Sequence, residues 1–397
     1  MIKRVKLYDL IANLSIIITL SMHDQNKLVI FMQFLLIGCV AFKYCRNGKL
    51  LIPGETRPFL VRYGMFILIC MASYIWSINK AGWLKINISL IQCACVGVCI
   101  IYYANSNKRK NNILYSAGAG GVLLAVRMLI SVPINAWGVK RVGEYVGYGN
   151  VGVTYVMAPA SIVSFYLAYK KKSKILYGIT LLLFVISALS GSKKGPVIFI
   201  AGLAVILIKT SKDIRKLVRN LLLAGILTGG LYLLIMKIPV LYHALGIRIV
   251  QALEQLNGTG VDKSTRDRMM LGQYGIKVFL DNPIFGVGID GFKNAPMNRI
   301  HYYAHNNYVE LLADCGIVGC MIYYFPLYRK FIQEIRGKAD FFTDNILALA
   351  LLAGLLVGDF SSVSYFQESL QIFYAISFML MGYDKKVKKK KLCCGGV

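Results

Sequence analysis

The chain has 397 residues, 57% of them hydrophobic and only 16% charged, with a formal net charge of +28. So apolar a composition excludes an ordinary soluble domain. The positive charge sits in short clusters between apolar runs, which marks membrane topology rather than a nucleic-acid surface.

A helix needs about 20 mostly apolar residues to cross a bilayer. On that measure the sequence predicts an all-α polytopic membrane protein with about 12 transmembrane helices and one large extracytoplasmic loop. The spans fall on residues 7–22, 28–43, 63–78, 85–104, 113–132, 152–169, 175–191, 195–209, 218–236, 303–328, 344–359 and 368–382. The first has a basic start and an apolar core, like a signal peptide, but no small-residue cleavage pattern follows, so it reads as a retained helix. The expected organisation is nine helices over 1–236, the loop over 237–302, three helices over 303–384 and a basic cytoplasmic tail over 385–397.

Basic residues set the orientation. With the N-terminus inside, the inner connections collect Lys43, Arg46, Lys49, Arg57 and Arg62, then Lys108 to Lys110, and Lys170 to Lys174. The same phase gives them Lys209 to Arg219, Arg329 to Lys338, and the lysines of the tail. Short outer connections are nearly bare, so both termini should be cytoplasmic in a bacterial plasma membrane. The ten cysteines lie largely inside apolar runs or after the final Lys run, without metal-ligand spacing, and read as reduced thiols. The tail's Cys394-Gly-Gly-Val397 imitates a lipidation box but lacks aliphatic middle residues.

Two outer connections exceed simple turns, Pro133 to Asn150 and Lys237 to Tyr302. Loops of the latter length are usually functional or disordered. Within it, residues 266–280 have helical spacing, and Asn282-Pro283 ends that helix. Gly286-Val287-Gly288-Ile289-Asp290-Gly291 matches a dinucleotide fingerprint, but a helix rather than a strand precedes it. Its glycines instead suit a tight turn that brings the backbone close to a substrate or to the next helix. His301 and His305 are four apart, yet the loop offers no third metal ligand, so no metal site is expected.

His305 stands before Asn306-Asn307-Tyr308-Val309-Glu310, a helix start in which Asn307 and Glu310 have capping-box spacing. An imidazole there can exchange a proton near neutral pH or donate to a phosphate. Lys263, Arg266, Arg268 and Arg299 surround this segment, and arginine suits bidentate phosphate contact. Arg141 in the first outer loop is similar. Arg127 lies within the fifth span, where a charge needs a partner, a wet cavity or a reach to the surface. Ser190-Gly191-Ser192-Lys193-Lys194-Gly195 puts two lysines into a very short outer turn, against the topological bias, which points to an anionic ligand.

Three of these stretches resemble the membrane O-antigen ligase and O-antigen or capsular-polysaccharide polymerase superfamily. The strongest covers Arg268 through Gly275, Phe279, Asn282-Pro283-Ile284, Gly286 and Gly288, then Ala304-His305-Asn306-Asn307-Tyr308, Glu310-Leu311, Gly316-Ile317 and Gly319. Another is the turn Ser190 to Gly195, similar to a Ser-Gly-Ser-Arg-Gly motif with Lys193 in place of the arginine. The third is Arg141-Val142-Gly143 followed by Asn150. The resemblance implies a glycosyltransferase that takes a polyprenyl-diphosphate-linked oligosaccharide at the outer leaflet, without cofactor, metal or nucleic acid. It implies His305 at the reacting centre, with Arg268 and Arg141 toward the diphosphate or glycan; Arg268 is taken with His305 as catalytic, and Arg266, Lys193, Asn306 and Arg127 join Arg141 as substrate-binding candidates on their own positions. The expected activity is polymerisation of lipid-linked repeat units into a capsular or O-antigen-like chain. A ligase that moves finished glycan to another acceptor shares these motifs. A transporter or flippase of lipid-linked sugars is the reading of another class, and would need paired intramembrane acidic or broken-helix sites. Membrane lipid, a flippase and a chain-length regulator are the candidate partners.

Overall fold

The computed structural model describes residues 7–22, 26–47, 56–137, 142–190, 192, 194–211, 213–239, 242, 246–247, 249–250, 254, 263–336 and 344–381. Among the described residues there is no strand. The helices are α1 (Leu7–Ser21), α2 (Lys27–Asn47), α3 (Thr56–Ala72), α4 (Lys80–Tyr103), α5 (Asn107–Ser131), α6 (Asn150–Lys171), α7 (Lys174–Leu189), α8 (Lys194–Thr210) and α9 (Ile214–Lys237). They continue as α10 (Lys263–Asp281), α11 (Asn307–Arg336), α12 (Asn345–Asp359) and α13 (Glu368–Met381). Each of the twelve apolar segments coincides with a helix, and α10 is the amphipathic helix expected inside the long loop. The tenth segment begins later than expected: residues 303–306 are loop, and α11 starts at Asn307.

Among the described residues, five helices are long and apolar enough to cross a membrane: Arg57–Ile75, Lys80–Tyr103, Asn107–Ser131, Gly152–Lys171 and Asn307–Arg336. Every residue of α13 is buried, so this helix forms the centre of the bundle. It packs on α4 and α12, while α1 pairs with α5, α6 with α7, and α8 with α12. Small residues let these helices approach. A Cβ at Gly121 of α5 would stand 2.8 Å from the Ala160 Cβ of α6, and one at Gly354 of α12 would stand 2.9 Å from the Ile198 carbonyl of α8. Close backbone approach of this kind drives packing where lipid removes the hydrophobic advantage.

Polar contacts define two ends of the bundle. At one end Thr154 meets Ser190 at 3.3 Å, the Ile289 amide donates to Ser73 at 3.2 Å, and Asn79 Nδ2 donates to the Asp290 carbonyl at 2.9 Å. At the other, Arg109 pairs with Asp9 at 2.8 Å, Lys170 with Asp344 at 2.8 Å, and Lys209 Nζ donates to the Ile335 carbonyl at 2.9 Å. The former end carries the long loop; the latter carries the basic connections that the charge pattern assigns to the cytoplasm.

Two basic residues counted as orientation signals are interior. Arg62 is 1% exposed within α3. Its Nε donates to the Tyr323 carbonyl at 3.1 Å, and its guanidinium lies 4.2 Å from the Tyr323 ring and 4.8 Å from the Tyr63 ring. Lys110, in the first turn of α5, is also buried. Neither presents its charge to a headgroup surface.

Candidate active site at the mouth of the bundle

The site rests on a break in α11. Gly316 has φ +64 and ψ −168, so the helix stops and restarts there. An unbroken helix would bond Ile317 N–H to the Ala313 carbonyl and Val318 N–H to the Asp314 carbonyl. All four groups instead find partners in the loop 283–288. Val287 and Gly288 amides donate to the Ala313 and Asp314 carbonyls at 3.0 and 2.8 Å; Ile317 and Val318 amides donate to the Pro283 and Ile284 carbonyls at 2.8 and 3.3 Å. The glycine motif is therefore a backbone clamp on the next helix. Gly286 has φ +66, and a Cβ there would lie 2.5 Å from the Ala313 carbonyl oxygen. That is the helix-contact alternative for these glycines, realised as main-chain pairing.

Carboxylates of α11 hold the rest of the loop. Asp314 accepts from the Phe292 and Asp290 amides at 2.7 and 2.9 Å. Glu310, four residues earlier and on the same helix face, accepts from the Ala304 amide at 2.5 Å. Buried Asn298 bridges the carbonyls of Phe292 and Tyr302 at 3.1 and 2.7 Å. The segment that delivers His305 is thus fixed on both sides.

The capping residue is Asn306, not Asn307. Asn306 Oδ1 accepts from the Tyr308 and Val309 amides at 3.0 and 3.2 Å, satisfying two of the free donors of the first turn. Asn307 points inward: its Nδ2 donates to Tyr324 Oη at 2.7 Å, and its Oδ1 accepts from the Ser364 and Tyr365 amides at 2.8 and 3.2 Å. The two adjacent asparagines divide the work, one closing the helix and one tying it to the connection before α13. The capping-box spacing favours Asn307 only if Glu310 reaches back to it, and that carboxylate is committed to the Ala304 amide instead.

His305 itself has φ +55 and is half-buried. Its ring packs on Tyr303 at 4.3 Å and stacks on Tyr302 at 5.3 Å between centroids, while Tyr302 and Tyr303 lie 4.3 Å apart. Burial first, and then the positive charges of Arg268 and Lys194, together push the imidazole down to about 4. Burial and the neighbouring Tyr302 raise the Tyr303 phenol. His305 is therefore neutral around pH 7, beside the Arg268 cation of α10 and Lys194 at the start of α8, whose ammonium burial and Arg268 lower to about 7.

Of the predicted site residues, the structure brings His305 and Arg268 together, with Asn306 as the helix cap beneath them. Arg266 is exposed on the same α10. Arg127 is engaged elsewhere: its guanidinium donates to the Ser21 carbonyl and, at 3.3 Å, to the Val146 carbonyl, clamping the end of α1. Lys193 and Arg141 lie outside the described residues. Sequence reading passed over Lys194 as a site residue in favour of Lys193, and it passed over the Tyr302–Tyr303 pair. The doubled lysine in the short turn was the available signal for Lys194, and the Tyr-Tyr step before Ala304-His305 for the pair. Among the described residues no group of three His, Cys, Asp or Glu side chains could hold a metal ion.

Comparison with curated proteins finds no match. Residues 178–324, which run from α7 through α8, α9 and the long loop into α11 and so include the whole His305 cluster, match the family model for O-antigen ligase, consistent with the O-antigen ligase/polymerase superfamily.

Proposed function

We propose that the chain is a membrane glycosyltransferase that extends a glycan on its carrier lipid, taking a polyprenyl-diphosphate-linked oligosaccharide as donor. The observation that carries this is a neutral imidazole at the bundle mouth beside the Arg268 cation and Lys194, an amine that burial and Arg268 lower to about 7 and that a bound anion would hold protonated. Neutral His305 can accept a proton, while fixed cations favour a group that becomes more negative during reaction. In the proposed step an acceptor hydroxyl oxygen bonds to the anomeric carbon of the donor. The bond from that carbon to the diphosphate oxygen breaks, and its electron pair leaves with the diphosphate. The hydroxyl proton passes to the His305 imidazole. Arg268 can grip the diphosphate with its planar fork, whereas Lys194 supplies a point charge.

Binding of the donor also prepares the base. Negative phosphate beside Arg268 and Lys194 offsets the charges that depress His305, so the imidazole becomes more basic once the donor is seated. The buried acids give no support to a transport reading, because their oxygens are committed within the bundle. Asp359 accepts from Ser364, Tyr324 and Tyr374 hydroxyls at 2.5, 2.9 and 3.1 Å, and Glu368 accepts from Gln33 at 2.6 Å.

The test is a glycan-ladder gel on a deletion strain complemented with wild type, His305→Ala, Arg268→Ala or Arg268→Lys. The polymerase reading expects single repeat units in the deletion and in both alanine variants at normal protein levels. It expects Arg268→Lys to lose most activity, because the fork is lost. Accumulation of full-length chains on the carrier lipid would instead identify a ligase. Normal polymer from His305→Ala would remove the histidine from the chemistry.

A further inference from the structure

The helix that carries Arg268 has two unlike faces. At 3.6 residues per turn, Leu271, Gly275 and Val278 share one side of α10, and all three are buried. That side is pressed onto α11, where a Cβ at Gly275 would meet Val309. Met269, Ile276 and Leu280 fall within about 40° of one another on the opposite side. They are 41% to 65% exposed, so an apolar stripe faces away from the bundle.

The stripe descends beside a membrane-crossing helix. Gly275 is level with Val309, and eight to nine residues later the Pro283 and Ile284 carbonyls accept from the Ile317 and Val318 amides. So α10 runs in the same direction as the first turns of α11, with its polar start above and its apolar end below. Ile284 and Phe285 continue the exposed apolar surface past the end of the helix. The Phe285 ring lies 5.7 Å from Trp76, which follows directly on the span Arg57–Ile75. That span exposes Val61, Met65, Leu68 and Ile75, spaced to share one side. Tyr74 and Trp76 at its end are the residue types that gather where a bilayer meets water.

We infer that the lower end of α10 rests in the boundary of the leaflet nearest the active site, with Ile276, Leu280, Ile284 and Phe285 against acyl chains. A contiguous exposed apolar surface marks a partner or a membrane. Lipid is the occupant here, because the surface adjoins the apolar flank of α3 at the level of its aromatic end. Lys277, exposed on the edge of the stripe, can lay its stem along that layer and keep its ammonium among headgroups. The same placement sets Arg268 above the acyl layer, where the diphosphate of a lipid-linked donor would stand; that consequence alone rests on the donor proposed above.

The test is electron paramagnetic resonance on the full chain in phospholipid nanodiscs, with a genetically encoded nitroxide placed singly at Met269, Leu280 or Phe285. Encoding the label leaves the ten native cysteines untouched. Leu68 on α3 is the lipid control and Arg299 in the loop the water control. Collisions with lipid-soluble oxygen should exceed those with a water-soluble nickel chelate at Leu280 and Phe285, as at Leu68, at a depth of about 5–10 Å into the boundary. Met269, about 16 Å higher along the helix, should shift toward the chelate. Chelate collisions at Leu280 and Phe285 equal to those at Arg299 would put the stripe in water and overturn the proposal. Exclusion of both reagents there would mean that protein covers the stripe, either a second copy or the connection before α10, and would overturn it as well. The labels report depth without any glycan, so the result is independent of the glycosyltransferase reading.

Discussion

His305 shows how position changes the meaning of a residue. A histidine in water titrates near 6.5, but this one is pushed down to about 4 by burial and by Arg268 and Lys194. The sign fixes a prediction. With His305 as the proposed base, the free protein keeps it neutral as pH falls through 6, so the acid limb that it would impose on kcat/KM should lie below pH 5. In the donor complex the diphosphate offsets part of the cationic field, so the acid limb of kcat should lie at higher pH. Coincident limbs near 6.5 would mean that neither burial nor the cations act on the reacting imidazole. Removing one cation gives a finer check: Lys194→Gln should move the kcat/KM limb upward while weakening use of the donor. From sequence, His305 and Arg268 stood out because they are polar residues in a motif between apolar runs. Lys194 could not be separated from Lys193, since two adjacent lysines differ only in which way a turn points them.

At the scale of elements, the twelve helical segments were legible because 57% apolar content in runs of about 20 leaves little choice. The amphipathic α10 was legible for the same reason, through its period. What periodicity could not reveal was the break at Gly316, since a glycine within an apolar run reads as a tolerated helix residue. The break follows from the tertiary pairing of 283–288 with 313–318, and such a pairing leaves no local signature. It makes a strong stability prediction. Gly286→Ala would drive a methyl into the Ala313 carbonyl, and Gly316→Ala would bring one to 2.5 Å from the Phe285 amide nitrogen, both at positive φ. Each should cost about 1–3 kcal/mol or more and lower the melting temperature in detergent. Asn307→Ala should act similarly by stranding the Ser364 and Tyr365 amides, at about 1–3 kcal/mol for each buried group left unpaired. A surface change such as Gln273→Ala on α10 is the control and should leave melting unchanged.

For the whole molecule, the charge pattern predicts an orientation, and the polar contacts mark two ends of the bundle. Arg62 is the exception that shows the limit of counting charges: it sits where an inner loop residue was expected, yet it is caged by tyrosines inside the bundle. Orientation therefore rests on the clusters Lys108–Arg109, Lys170–Lys172 and Lys209, not on every basic residue. Reporter fusions should place the segment after Arg336 in the cytoplasm and a tag inserted before α10 outside; the reverse pattern would invert the site's leaflet. The clamp at Gly316 has a further consequence. Because the loop grips α11 through main-chain atoms, the outward side chains of 293–303 carry little of the work of attachment. They can change from one relative to another without loosening the segment that carries His305. A loop transplanted from a related enzyme, with its two glycines kept, should therefore seat on this scaffold and bring its own sugar preference with it.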